Sequence, residues 1–265
     1  MMVSVVTAPA KVTWSLSVGT RRPDGYHDLE AEMLTVDLAD TLRITEPGDD
    51  LAVTAAEGAR AERLSLGEDN LIAKALRLVG RRASVMLDKR IPLGGGLGGG
   101  SADAGAILRW AGGVSSQQAA TLGGDVPFCA IGGRAQVSGI GDIVEPLAFL
   151  ERSMVLVIPP FGVDTGACYG ALDTLRDQGG GHHERNDLTE AAEMVAPRLG
   201  EWRRYLESLT GRDVSLAGSG STMFLEGTRA EMGLGGMGTL ALGRDVAMVF
   251  DAVSIPASAG DPRSE

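Results

Sequence analysis

Chemistry in this chain is concentrated where it reads LGGGLGGGSAD, from Leu93 to Asp103, with glycine at six of the seven positions from Gly94 to Gly100. So much glycine lowers stability unless the backbone must take positive φ or lie close against another group. After it, Ala104, Ile107, Leu108 and Ala111 recur at the spacing of one helix face. Ser101 stands where an N-cap is expected, and Asp103 falls in the expected first turn, where negative charge is favoured. Before it, Val85, Leu87 and Lys89 alternate with Ser84, Met86 and Asp88, which predicts a strand from Ala83 to Ile91, closed by Pro92. Strand, glycine loop and helix start together form an anion cradle, with free amides and a positive helix end suited to phosphate. A flexible linker is the alternative, but linkers rarely join a strand to a capped helix.

Known phosphate loops narrow the choice. A Walker A loop ends in Gly-Lys-Ser/Thr, whereas Gly100 is followed by Ser101-Ala102. Gly94, Gly96 and Gly99 satisfy a dinucleotide fingerprint formally. That pattern is weak inside a glycine run, and Gln117-Gln118 stand where its acidic partner belongs. A protein-kinase glycine loop bridges two strands rather than opening a helix.

Three further places carry side chains suited to chemistry. Lys11 lies in APAKVTWSL, between a Pro-containing segment and strand-like apolar residues, and reads either as a surface charge or as an inward-facing cation. Tyr26 and His27 leave the turn Pro23-Asp24-Gly25 together. They read either as a packed hairpin end or as a pair that stacks on a base and reads its edge. Asp125, in LGGDVPF, reads either as a turn former or as a partly desolvated carboxylate. His182, His183 and Glu184 have no third ligand at helical spacing, so they read as a solvated loop rather than a metal site.

The elements that must position these groups follow from periodicity and turn residues. Val3–Val6 and Val12–Val18 are predicted strands, interrupted at Ala8-Pro9-Ala10, as are Met33–Leu38 and Thr41–Ile44, joined at Ala39-Asp40. A polar stretch from Asp49 to Gly67 holds one strand, Leu51–Ala55, and precedes a short helix, Asn70–Leu78. Helices are also predicted after Ser115-Ser116, over Cys168–Leu175, Asn186–Val195 and Pro197–Leu209. Strands are predicted at Ala135–Ser138, Met154–Pro159 and Val246–Val253, with a second glycine-serine turn inside VSLAGSGSTMF. A domain boundary is expected near Leu150, giving residues 1–150 and 151–256, followed by a disordered tail, 257–265.

Composition bounds the function. The chain has 265 residues, 44% hydrophobic and 22% charged, room for one large or two modest domains. A net charge of −11 argues against nucleic acid and acidic membranes as partners. No apolar run approaches a membrane span, and no signal peptide is expected at the N-terminus. Cys129 and Cys168 fit no metal spacing and read as buried free thiols of a reducing, cytoplasmic protein.

The arrangement Pro92-x3-Gly96-Leu97-Gly98-x-x-Ser101 resembles the ATP loop of the GHMP kinases. APAKVTWSL with RRPDGYH, KRIPLGGGLGGGSADA with LGGDVPF, and LAGSGSTMF, taken in order, resemble one family among them, the 4-diphosphocytidyl-2-C-methyl-D-erythritol kinases. DLADTL, EDNLI, GIGDIVEPL and Asn186-Asp187-Leu188 support the likeness, which spans the chain to about Phe224. It implies an α/β (α+β) two-domain fold, with an N-terminal ATP-binding mixed-sheet domain and a smaller, ferredoxin-like C-terminal α/β domain. It also implies transfer of the γ-phosphoryl of ATP, with Mg²⁺, to a tertiary hydroxyl of a small substrate carrying a cytidine diphosphate group, by a monomer or weak homodimer.

Carried over position by position, Asp125 matches the catalytic aspartate and Lys11 its paired lysine. Tyr26, His27 and Tyr169 match the cytidine clamp. Asn70, Lys89, Leu93 and Asp103 fall near the adenine and ribose contacts. Gly94, Gly95, Gly96, Leu97, Gly98, Gly99, Gly100 and Ser101 match the phosphate loop. No residue is carried over as a metal ligand, Mg²⁺ being held mainly through the nucleotide. Departures are Thr13, where the family usually has asparagine, and short stretches near 79–83 and 111–121. A mevalonate- or homoserine-type kinase and a non-catalytic nucleotide-binding homologue are the rival readings.

Overall fold

A computed structural model describes residues 2–56, 58–59, 64–183, 185–257 and 263–264. Two long strands form its spine, β1 (Met2–Arg21) and β2 (His27–Glu46), paired antiparallel along almost their full length. The interruptions expected at Ala8-Pro9-Ala10 and Ala39-Asp40 are not breaks. Pro9 pairs with Ala39 and Lys11 with Thr35, so the register shifts there and the strands run on through an irregularity. The extra residues lie on β2, where Val36, Asp37 and Leu38 stand opposite the single Ala10, and proline, which has no N–H for the ladder, is tolerated at such an irregularity.

Next come β3 (Leu51–Ala55), α1 (Leu71–Leu78) and β4 (Ser84–Lys89). The first half ends with α2 (Gly99–Trp110), α3 (Ser116–Ala120), α4 (Val126–Ile131), β5 (Arg134–Gly139) and β6 (Ile143–Pro146). The long β2 carries two partners on its far side, β5 against Leu29–Leu34 and β4 against Thr41–Thr45, while β3 lies parallel to β4. A mixed seven-stranded sheet results.

From Ser153 to Val253 the strands belong to a second sheet, of five strands, ordered β10-β11-β7-β9-β8. Its elements are β7 (Ser153–Ile158), α5 (Thr165–Asp177), α6 (Leu188–Val195), α7 (Pro197–Thr210), β8 (Ser215–Leu216), β9 (Met223–Glu226), β10 (Thr239–Leu242) and β11 (Asp245–Val253). β10 lies in the glycine-rich stretch where periodicity shows no strand. Its neighbour β11 supplies the antiparallel partner that makes it one. β12 (Arg263–Ser264) pairs with β1 at Ser4 and Val5, inside the stretch expected to be disordered. Residues 258–262 and 265 of that stretch, and 57 and 60–63 of the polar stretch before α1, lie outside the described residues.

One core runs through both halves. Residues 102–108 of α2 are all buried, and a Cβ on Gly105 would lie 2.6 Å from the carbonyl carbon of Cys129, so α2 and α4 approach closely. Glycine is required there because any side chain would push α4 away. Trp14 on β1 packs tilted against Phe224 on β9, ring centroids 5.1 Å apart, with the Arg152 guanidinium 4.2 Å from the Trp14 ring.

Candidate active site

The glycine loop opens into a cleft of about 360 Å³, walled by Pro92 to Ser101 and including Leu93, Gly94, Gly95, Gly96, Leu97, Gly98, Gly99 and Gly100. Gly98, at φ +68°, is the N-cap of α2, and the helix begins at Gly99. Ser101 is therefore the third helical residue and not the expected N-cap. The first-turn amides precede any intrahelical acceptor, which leaves donors for an anion at the helix end. The loop is fixed from two sides. Leu97 O accepts from Lys11 N at 3.0 Å, and Gly95 O accepts from Thr222 N at 3.0 Å. A Cβ on Gly96 would lie 2.7 Å from Gly220 O, and one on Gly98 2.8 Å from Lys11 Cγ. These two glycines are needed for close approach as well as for positive φ.

Lys11 and Asp125 meet at the cleft. Lys11 Nζ lies 3.2 Å from Asp125 Oδ2 and donates to Thr13 Oγ1 at 3.2 Å. Thr13 is two residues along the strand, on the same face, so its hydroxyl serves as an acceptor for the lysine. Asp125 holds the N-cap position of α4, but its side chain makes no capping bond. Its carboxylate pairs with Lys11 instead, while the residue itself sits in the turn that opens α4. The lysine side chain is 7% exposed and the aspartate 36%, so ligand can reach the carboxylate while the ammonium stays lodged in protein.

The opposite wall comes from the second half. Thr165 and Tyr169 on α5 line the cleft with Gly218 and Ser219. Thr165 Oγ1 and Ser219 Oγ are hydrogen-bonded at 2.8 Å. Asn186 Nδ2 donates to Leu216 O and Gly218 O, each at 2.8 Å, and so holds the second glycine-serine turn. Burial, with the Asp125 charge adding to it, pushes the Tyr169 phenol up to about 12, so it remains an uncharged hydroxyl at neutral pH. Burial likewise pushes the Cys129 thiol up to about 12 and Cys168 up to about 11, which leaves both as unreactive thiols.

Of the clamp residues, His27 and Tyr169 come together and Tyr26 stays apart. The His27 and Tyr169 rings stack at 5.2 Å and 24°. His27 Nε2 lies 2.8 Å from Asp173 Oδ1. Of the three only Tyr169 lines the cleft; His27 is buried behind it, and Tyr26 is 62% exposed.

Of the residues expected near adenine or ribose, Lys89 and Asp103 pair with each other under the loop and Asn70 caps α1. Lys89 is fully buried, with Nζ 2.5 Å from Asp40 Oδ2 and 2.8 Å from Asp103 Oδ2. A Cβ on Gly99 would lie 2.9 Å from Lys89 Nζ, so this ion cluster sits directly under the loop. Asp40 Oδ1 also accepts from the backbone N–H groups of Arg90 and Ile91. Asp103 thus faces a buried lysine rather than acting on the helix dipole. Asn70 is the N-cap of α1, accepting from Ile72 N at 2.8 Å. Leu71 beside it lines the cleft.

One ammonium cannot neutralise two carboxylates in a dry site. Burial pushes Asp103 up to about 7, with Lys89 opposing the rise and Asp40 adding to it. Burial also works against the Lys89 charge, but its two carboxylate neighbours outweigh that and raise it.

Sequence reasoning missed Thr165, Asp173 and Asp40. Ser219 lay in a turn already visible as glycine-serine, and Asp40 in the DLADTL run. Nothing local marks Thr165 or Asp173. The exposed His182 lies 3.5 Å from Asp187, and Glu184 lies outside the described residues.

A family model described as GHMP kinases N terminal domain matches residues 70–133. The 4-diphosphocytidyl-2-C-methyl-D-erythritol kinase of Paracoccus denitrificans (strain Pd 1222) is 36% identical over 234 residues, 82% of this chain and 84% of that protein. A crystal structure of a 4-(cytidine 5'-diphospho)-2C-methyl-D-erythritol kinase aligns with TM-score 0.71 at 30% identity, over 95% of this chain and 99% of the other. A homoserine kinase from Cytophaga hutchinsonii aligns over 100% of this chain and 97% of its own with TM-score 0.58 at 16% identity, a likeness of fold alone.

Proposed function

The chain belongs to the 4-diphosphocytidyl-2-C-methyl-D-erythritol kinases, a family of GHMP kinases, and we propose that its cleft moves the γ-phosphoryl group of ATP to the 2-hydroxyl of the diphosphocytidyl conjugate of methylerythritol. The observation that carries this reading is the Lys11–Asp125 pair, 3.2 Å apart, beside the glycine loop.

A tertiary hydroxyl is a poor nucleophile, so Asp125 accepts its proton as the oxygen bonds to the γ-phosphorus. The bond from that phosphorus to the β,γ-bridging oxygen breaks, and ADP leaves. Lys11 offsets the charge gathering on the transferred oxygens, while loop amides and the α2 N-terminus hold the phosphates. Phosphoryl transfer otherwise depends on in-line positioning. On this reading the Lys89–Asp40–Asp103 cluster holds the loop's floor and does not touch the nucleotide.

Mg²⁺ belongs to the same proposal. Among the described residues no three His, Cys, Asp or Glu side chains group as a metal cage. Ser101 and Asp125 offer hard oxygen donors in the cleft wall, a set suited to an ion carried mainly by nucleotide phosphates. When bound, it supplies charge neutralisation at the β- and γ-oxygens. A cytoplasmic site of action is supported by the two buried free cysteines, and no described helix is long and apolar enough to cross a membrane. We also take residues 1–150 and 151–256 as two domains, in line with the change of sheet after β6, and the protein as a monomer or weak homodimer.

The test is a substrate panel with ATP and Mg²⁺. The diphosphocytidyl conjugate should be phosphorylated, with homoserine and mevalonate at background. Turnover of homoserine or mevalonate in its place would move the chain to another GHMP activity. ATP binding without turnover of any of the three would mark a non-catalytic homologue.

A further inference from the structure

Resting on the cytidine reading of the cleft, we propose that Asp173 is a positioning residue that decides which base His27 accepts, by holding the imidazole in one tautomer. Tyr169 and Asp173 are four residues apart on α5, so they stand one above the other on a single helix face. Both meet His27. The Tyr169 ring stacks on it at 5.2 Å, and Asp173 Oδ1 lies 2.8 Å from Nε2. His27 is 7% exposed, so water competes little for that bond.

A carboxylate only accepts hydrogen bonds, so Nε2 carries the proton. In the neutral ring Nδ1 is then an acceptor, and the partner of one nitrogen has set the chemistry of the other. Cytosine presents an amino donor at position 4, whereas a uracil-type ring presents a carbonyl acceptor there. An Nδ1 acceptor pairs with the first and faces lone pairs on the second. Reversing the tautomer would reverse the preference. On this reading base choice lies one residue behind His27, on a helix from the other half of the molecule.

A plain structural tie is the competing account, since His27 opens β2 in one sheet and α5 packs with the other half. The two accounts differ in what they move. A tie affects stability and both substrates together, whereas a tautomer lock affects base choice. Three variants separate them: Asp173→Ala, Asp173→Asn and His27→Ala. In Asp173→Ala, KM for the cytidine conjugate should rise roughly tenfold, and discrimination against its uridine analogue should fall by a similar factor. KM for ATP should hold. Asp173→Asn keeps an oxygen acceptor for Nε2–H and should recover most of the discrimination. Adding Asp173→Ala to His27→Ala should cost nothing further in discrimination.

A direct readout is ring ¹⁵N NMR, tractable because the chain has three histidines. His27 should show the Nε2–H form in the parent and a mixture in Asp173→Ala. An alanine variant that keeps both its discrimination and its tautomer overturns the proposal, as does a loss confined to ATP or to thermal stability. A parent protein that fails to phosphorylate the cytidine conjugate sinks the underlying reading, and the base-choice claim with it. A parent that does so, with discrimination unchanged in Asp173→Ala, sinks the Asp173 claim alone.

Discussion

At Lys11 and Asp125 two charges meet in unequal surroundings, the ammonium lodged in protein and the carboxylate more than a third exposed. An ion pair with one member this exposed contributes only about 0–1 kcal/mol to stability, so the pair is poorly explained as a stabilising device. On the proposed reading its value lies in the reaction, which gives a sharp test. Asp125→Asn keeps the shape and removes the base, so kcat should fall by roughly 10²–10⁴, the range for loss of a positioned general base. KM for ATP should stay within a few-fold, because the phosphates rest on backbone amides. Activity near that of the parent protein would remove Asp125 from the chemistry.

Among the elements, the loop between β4 and α2 is held rigid at contacts where side chains have no room. In Gly98→Val the new side chain must take φ +68° and would meet Lys11 Cγ at 2.8 Å. Backbone strain of that kind costs about 1–3 kcal/mol, so ATP affinity should drop roughly tenfold or more. kcat should fall with it, since Lys11 is displaced. A folded variant with unchanged ATP affinity, by calorimetric titration, would return the loop to the status of a linker.

The ion cluster under the loop gives a second test. The Asp103 carboxyl is raised to about 7 in the folded protein, so the native state holds a proton that the unfolded chain releases at a lower pH. Its contribution to stability is therefore fully present below the unfolded value and is lost as pH rises through about 7. Replacing it by Asp103→Asn fixes the neutral form. Between pH 5 and pH 8 the parent should lose roughly 1–3 kcal/mol relative to this variant, read from urea midpoints. Parallel curves would show that the cluster keeps one protonation state throughout.

On the scale of the whole molecule, the two halves share one core, and residues of both line the cleft. Trp14, nearly buried, packs on Phe224 from the second sheet and lies under the Arg152 and Arg185 guanidinium groups. Truncating a buried aromatic typically costs about 3–5 kcal/mol. Trp14→Ala should cost that much, and the cost should appear as one cooperative transition displaced to lower denaturant. Tryptophan fluorescence from Trp110 in the first half and Trp202 in the second, and far-ultraviolet dichroism, should give coincident midpoints. Two separated transitions would mean that the halves unfold independently.

Read without coordinates, the chain already determined its glycine loop and its family, and it marked Lys11 and Asp125, the pair proposed as catalytic, because each rests on short runs of characteristic residue types. Glycines at 96 and 98 are an example: their positive φ favours glycine locally, while the close approaches to Gly220 O and Lys11 Cγ are tertiary contacts that add to it. Helices with clear periodicity and caps, such as Asn70–Leu78 and the one after Ser115, were legible for the same reason. Tertiary structure alone decided the direction of each side chain. Lys89 and Asp103 share the loop's signature with its ligand-facing residues, yet Asp40, 49 positions before Lys89, draws the lysine below the loop. Pro9 looked like a strand end because nothing local shows a partner strand that accommodates it in a bulge. Asp173 carries no mark in its own neighbourhood, since its role arises only where α5 crosses His27, 146 positions earlier. Local chemistry depends on neighbours in the chain. Which groups face ligand and which face one another depends on long-range packing, and periodicity does not encode those contacts.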